Sequence, residues 1–212
     1  HELVHTVEDQ HYDLRKMNEE REDDGDAGMA LKGLVEGSAD FWQTLYQDQH
    51  PEEFKAMMAA QMKPELMQKQ MQMMQRVPTF LIAMMGLYPY KNGCAFLRGI
   101  GVETPADLDA VWKDPPSSTE QVLHPEKFPL DGKGRDYPHK VAEFEIHRTL
   151  GEGWEEIDNS TMGELMTGLI MVHLQTPGEG PGPSMNRLLG VMNPATQGVQ
   201  FKPPLSKAVA GW

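Results

Sequence analysis

The sequence predicts a predominantly helical α+β fold, and three observations carry that expectation. Apolar side chains recur through Leu31, Leu34, Val35, Ala39, Trp42 and Leu45, the i, i+3, i+4 pattern of one buried helix face. Pro51, Pro64, Pro78 and Pro125 divide much of the remaining chain into further helical lengths. Only residues 141–146 and 154–157 read as strands.

The first helix is expected over residues 1–16, followed by the charged stretch Asn18-Glu19-Glu20-Arg21-Glu22-Asp23-Asp24-Gly25-Asp26. Those acids lack the spacing of an EF-hand calcium loop and read as a solvated linker. A second helix covers about residues 29–47, and His50-Pro51-Glu52-Glu53 opens another with proline in its first turn. Met57, Met58, Met62, Met67, Met71, Met73 and Met74 then fall between Pro51 and Pro78, with Pro64 splitting the segment into two helices. Methionine at helical spacing among charged neighbours suits core or lid packing better than a Cu(I) site. Residues 81–97 read as helix, a turn at Tyr88-Pro89-Tyr90, and helix, with the single Cys94 as a small buried hydrophobe. Ser117-x-x-Glu120 is a capping-box pattern, and Pro125 closes the short helix that it opens, which leaves His124 at the helix exit. Residues 129–140 are rich in Pro, Gly and charge and read as a linker, 161–174 as a helix and 177–183 as a loop. The organisation expected is a core at 1–128 with a Met-rich insertion at about 47–77, the linker, and a smaller α+β part at 141–212.

A net charge of −13 argues against nucleic acid as a partner, because proteins that neutralise phosphates cluster Lys and Arg. No apolar run approaches the ~18 residues that span a bilayer. One cysteine forms neither an internal disulfide nor a CxxC metal site.

The chemistry is concentrated near the start. His1-Glu2-Leu3-Val4-His5 is an HExxH motif: on a helix the two imidazoles lie on one face and can reach a single metal, while the Glu addresses the open coordination position. Glu36 and Asp40 are likewise four apart, on the helix with the apolar spacing. Catalytic zinc takes three protein ligands and leaves a position for water, and an acidic partner commonly holds a ligand imidazole by its other nitrogen. Glu36 can serve as third ligand to His1 and His5, and Asp40 as the orienting partner. Glu2 would then be the general base.

HExxH with a downstream ExxxD helix resembles the gluzincin metallopeptidases, and Asp9, four residues past His5, fits that likeness. Ser118-Thr119-Glu120-Gln121-Val122-Leu123-His124-Pro125-Glu126-Lys127 is similar to the STEQ-(I/V)-LHPEK signature of a bacterial group of zinc-peptidase-like proteins. The Asp9-Gln10-His11-Tyr12-Asp13-Leu14 run, the Glu36-Gly37-x-Ala39 segment and Tyr88-Pro89-Tyr90 with Gly93 and Phe96 also match that group, whereas residues 47–77 do not. The likeness implies a zincin-like core, a bound Zn2+, a peptide or protein substrate, and a second acid near the metal at Asp9. It also implies that the chain is a fragment cut at both ends. The oxyanion needs a donor beyond zinc, for which Tyr90 and His124 are both candidates. Two other readings differ in kind: a zincin-like domain without catalysis, stabilised by zinc and binding a partner through the Met-rich segment, and a metal-free helical domain in which His1, His5 and Glu36 lie far apart.

Overall fold

The helix with the apolar spacing becomes the spine of the molecule. In the computed structural model, which describes residues 1–61, 63–74, 76–139, 150–155, 157 and 159–174, this helix, α3, runs Gly25–Gln49. It starts where the Asp24 side chain accepts from Ala27 N and stops before Pro51. Glycines inside a helix cost stability. Here Gly33 and Gly37 sit where other elements press against the helix, so the close approach that they permit offsets that cost.

Helix α1 (Glu2–Tyr12) is shorter than predicted, because Asp13 adopts a left-handed conformation at φ 52°. Its carboxylate accepts from Lys16 N at 3.0 Å and so caps α2 (Leu14–Glu19). Tyr12 stacks on Trp112 with ring centroids 5.0 Å apart and donates to Asp109 at 3.0 Å, which fastens α1 to α8 (Pro105–Lys113). The Met-rich segment is two helices, α4 (Pro51–Gln61) and α5 (Pro64–Met74). Met57, Met67 and Met73 on them are exposed, not packed in a core.

The predicted turn at 88–90 does not form. After the short α6 (Thr79–Leu81) the chain continues as a π-helix, Ile82–Asn92, straight through Pro89 and into α7 (Gly93–Gly99). A π ladder closes rings one residue larger than the α ladder, so the carbonyl that a proline ring would strike in an α-helix is displaced. Tyr88 ends fully buried, and Cys94 is buried in α7 as expected.

The core gathers around α3. Leu34, Tyr88, Phe96, Leu97, Val111, Val122, Phe128, Leu165 and Leu169 are all essentially removed from solvent, and α3 packs against the π-helix, α7, α1 and α9 (Thr119–Leu123). The N-cap of α9 is Ser118, one residue later than the pattern suggests, with Oγ accepting from Gln121 N. Pro125–Lys127 follow as a 3-10 turn. The residues after it, composed like a linker, are fastened to this region: the Gln121 amide donates to Asp136 O at 2.5 Å, and the Arg135 guanidinium lies 3.6 Å from the Phe128 ring centroid and pairs with Asp114. Among the described residues no strand occurs. Residues 141–146 lie outside the described residues, and the described residues of 154–157 are coil, without a neighbouring strand to pair with. The last helix among the described residues, α10 (Glu164–Leu174), starts three residues later than predicted, and the 177–183 loop is outside the described residues. No described helix is long and apolar enough to cross a membrane.

Candidate metal centre

The first turn of α1 lies across the middle of α3, and this crossing brings His1, His5 and Glu36 together. His1 Nε2 is 3.1 Å and His5 Nε2 3.4 Å from the same oxygen, Glu36 Oε2. The imidazoles meet edge to face with centroids 4.8 Å apart. One ligand atom from each of the three residues lies within 4.8 Å of the others, the only such grouping of three or more His, Cys, Asp or Glu among the described residues. Two imidazoles and one carboxylate, converging and partly shielded, are a donor set that fits Zn2+.

Tyr90, delivered by the π-helix, stands over the group with its ring 5.6 Å from that of His1. Burial, then the charge of Glu36 and a hydrogen bond to it, then Glu2 and Asp40, all push the phenol above its ordinary pKa. It therefore stays protonated and can donate. Glu2 is exposed and close enough for its charge to act on that phenol.

The acids expected to hold the histidines from behind are placed otherwise. Asp9 Oδ1 accepts from Leu14 N at 3.1 Å, because the break at Asp13 leaves that amide without a helical carbonyl. Asp40 makes no described hydrogen bond to either histidine; burial raises its carboxyl, the charge of Arg98 opposes the rise, and its own charge acts on Tyr90 and Cys94. The residue facing the outer nitrogen of His5 is Glu8, with Oε2 at 3.6 Å from Nδ1. Its spacing of three from His5, on the same helix face, is the signal that could have found it. Burial, followed by the nearby charge of Glu36 and opposed by a hydrogen bond to Ser38, brings the Glu8 carboxyl to about 7.

His124 belongs to a different cluster. Its Nε2 lies 3.0 Å from Glu164 Oε1 and its Nδ1 3.5 Å from Glu126 Oε1. Thr119 joins Asp26 on α3 to this group, its N and Oγ1 donating to the carboxylate at 3.0 and 2.6 Å while Oγ1 accepts from Leu165 N at 3.1 Å. Asp26, read as part of a solvated linker, is thus buried. It precedes Glu36 by ten residues on α3, roughly 15 Å at 1.5 Å per residue, so this cluster is remote from the histidine pair on α1.

A pH dependence follows from the His124 contact. The Glu164 hydrogen bond, then the charges of Glu164 and Glu126, raise the imidazole above its ordinary value against burial and the charge of Lys127. A raised folded-state value means that the stabilisation is complete below the unfolded value of about 6.5 and is lost as pH rises through the folded value. His124→Ala should therefore lower Tm more at pH 5.5 than at pH 8.5, by on the order of 2–4 °C, the shift that about 1 kcal/mol gives in a domain of this size. Equal losses at both pH values in thermal melts would show that the imidazole does not carry charge there.

No family model, curated protein or solved structure matches the chain.

Proposed function

We propose that the chain is a zinc-dependent hydrolase, a metallopeptidase acting on a peptide or protein substrate. The observation that carries the reading is the convergence of His1, His5 and Glu36 on one point, where the metal-free alternative would have left them apart. Bound there, zinc supplies Lewis acidity and lowers the pKa of water toward ~7. His1, His5 and Glu36 hold it. Glu2, in the HExxH position that is not a ligand, removes the proton from the attacking water and delivers it to the leaving amine. The Tyr90 phenol, kept protonated beside Glu36, donates to the developing oxyanion, whereas His124 is engaged by Glu164.

The second reading, a zinc-stabilised binding module, draws on the exposure of Met57, Met67 and Met73. Thioether surfaces adapt to varied apolar partners. Glu2 discriminates the two, because a purely structural zinc site has no use for a general base. Elemental analysis after dialysis should find about one zinc per chain and a substoichiometric amount in Glu36→Ala. Undiminished zinc in that variant would remove Glu36 from the ligand set, and none in the parent chain would remove the metal centre.

A further inference from the structure

Behind the histidines, two buried polar atoms face each other with nothing else to bind. His5 Nδ1 and Glu8 Oε2 stand 3.6 Å apart, and neither has a hydrogen-bond partner. The other Glu8 oxygen is 2.5 Å from Ser38 Oγ. Ser38 lies on α3 two residues beyond Glu36 and is wholly buried, and Glu8 is only 5 % exposed. Burying a carboxyl without full hydrogen bonding costs stability, and α1 offers its other acids to solvent: Glu2 and Asp9 are both exposed. A buried Glu at this position is therefore paid for by what it does for its neighbour.

We propose that Glu8 is the positioning residue of the metal centre, accepting the Nδ1 proton of His5 while Ser38 holds its second oxygen in place. The inference rests on the zinc reading above. An acceptor on Nδ1 places the ring proton there, frees Nε2 as the metal-facing lone pair and restricts rotation of the ring. Because Ser38 and Glu36 are on the same helix, the acceptor and the third ligand move together. Shortening the 3.6 Å separation to a true hydrogen-bond distance needs only a small adjustment of two side chains.

The test is zinc affinity, measured by competition with a chromophoric chelator, together with the long-range 1H–15N NMR signature of the histidine rings. Glu8→Leu should weaken zinc by ~10- to 100-fold and move the His5 Nδ1 signal while leaving His1 in place. Glu8→Gln, whose amide oxygen still accepts from Nδ1, should keep affinity within a few-fold of the parent. A merely structural Glu8 would perturb both histidines alike and would not be rescued by Gln; either result overturns the proposal, as does parental affinity in Glu8→Leu. Should Glu8→Leu fail to fold, Ser38→Ala carries the test, with a few-fold loss of affinity and a displaced His5 Nδ1 signal expected and an unmoved signal overturning it. Zinc absent from the parent chain would sink the metal centre and this role together, whereas zinc bound normally by parent and Glu8→Leu sinks the role of Glu8 alone.

Discussion

Glu2→Gln is expected to lower peptidase activity by about 10²- to 10⁴-fold, the range that positioned general acid–base groups contribute, while zinc content and melting temperature stay at the parental level. Glu2 is exposed on the first turn of α1 and is not one of the three converging residues. Its charge acts on Tyr90, which stands over the cluster. The amide preserves size and polarity and removes only the basic oxygen, so the effect falls on proton transfer and not on the fold. Hydrolysis of a fluorogenic peptide mixture at neutral pH is the measurement. Equal rates for the two zinc-loaded proteins would leave the histidine–glutamate cluster as a binding or structural centre and end the catalytic reading.

The largest loss of stability is expected from Gly93→Ala. A Cβ at Gly93 would stand 1.9 Å from Gly33 O and 2.8 Å from Gly37 Cα, and one at Gly37 would stand 2.3 Å from the Gly93 carbonyl carbon. These are backbone atoms on both sides. No side chain can swing aside, so α3 and α7 must separate. Overpacking typically costs 1–3 kcal/mol; with backbone against backbone the upper end applies, about 3 kcal/mol, or a fall in Tm of roughly 6–12 °C for a domain of this size. Gly86→Ala is the control, since its Cβ would meet nothing within 4 Å. Because Glu36 adjoins Gly37 and the π-helix bearing Tyr90 runs directly into Gly93, the same change should also weaken zinc. Equal melting temperatures for Gly93→Ala and Gly86→Ala would show that the helices do not touch there.

The elements that the sequence describes best are those whose information is local. The apolar repeat from Leu31 to Leu45 announced α3, and Pro51 and Pro64 each opened a helix where proline is tolerated, in a first turn. The misplaced boundaries share a cause. Asp13 ends α1 through a left-handed conformation that neither charge nor apolar periodicity encodes, and Pro89 suggests a turn by every local rule but is carried within a π-helix whose Tyr88 is buried against Gly33. The segment composed like a linker is held by Gln121, Phe128 and Asp114, residues brought there by the fold.

The same division runs through the candidate site. By itself the sequence determined that His1 and His5 share a helix face, that Glu36 lies on a separate buried helix, and that Glu2 is free for another task, because 3.6-residue periodicity fixes what a helix face contains. It could not determine which acid stands behind which imidazole. Asp9, Asp40 and Glu8 all have plausible spacing, and the choice between them depends on how α1 crosses α3. That crossing is set by Glu8 against Ser38, Tyr12 against Trp112, and the glycine contact that lets α7 and the π-helix approach α3 closely enough to bring Tyr90 over His1. Side-chain partners between helices are decided by packing, which is a property of both surfaces at once and is written in neither sequence segment alone.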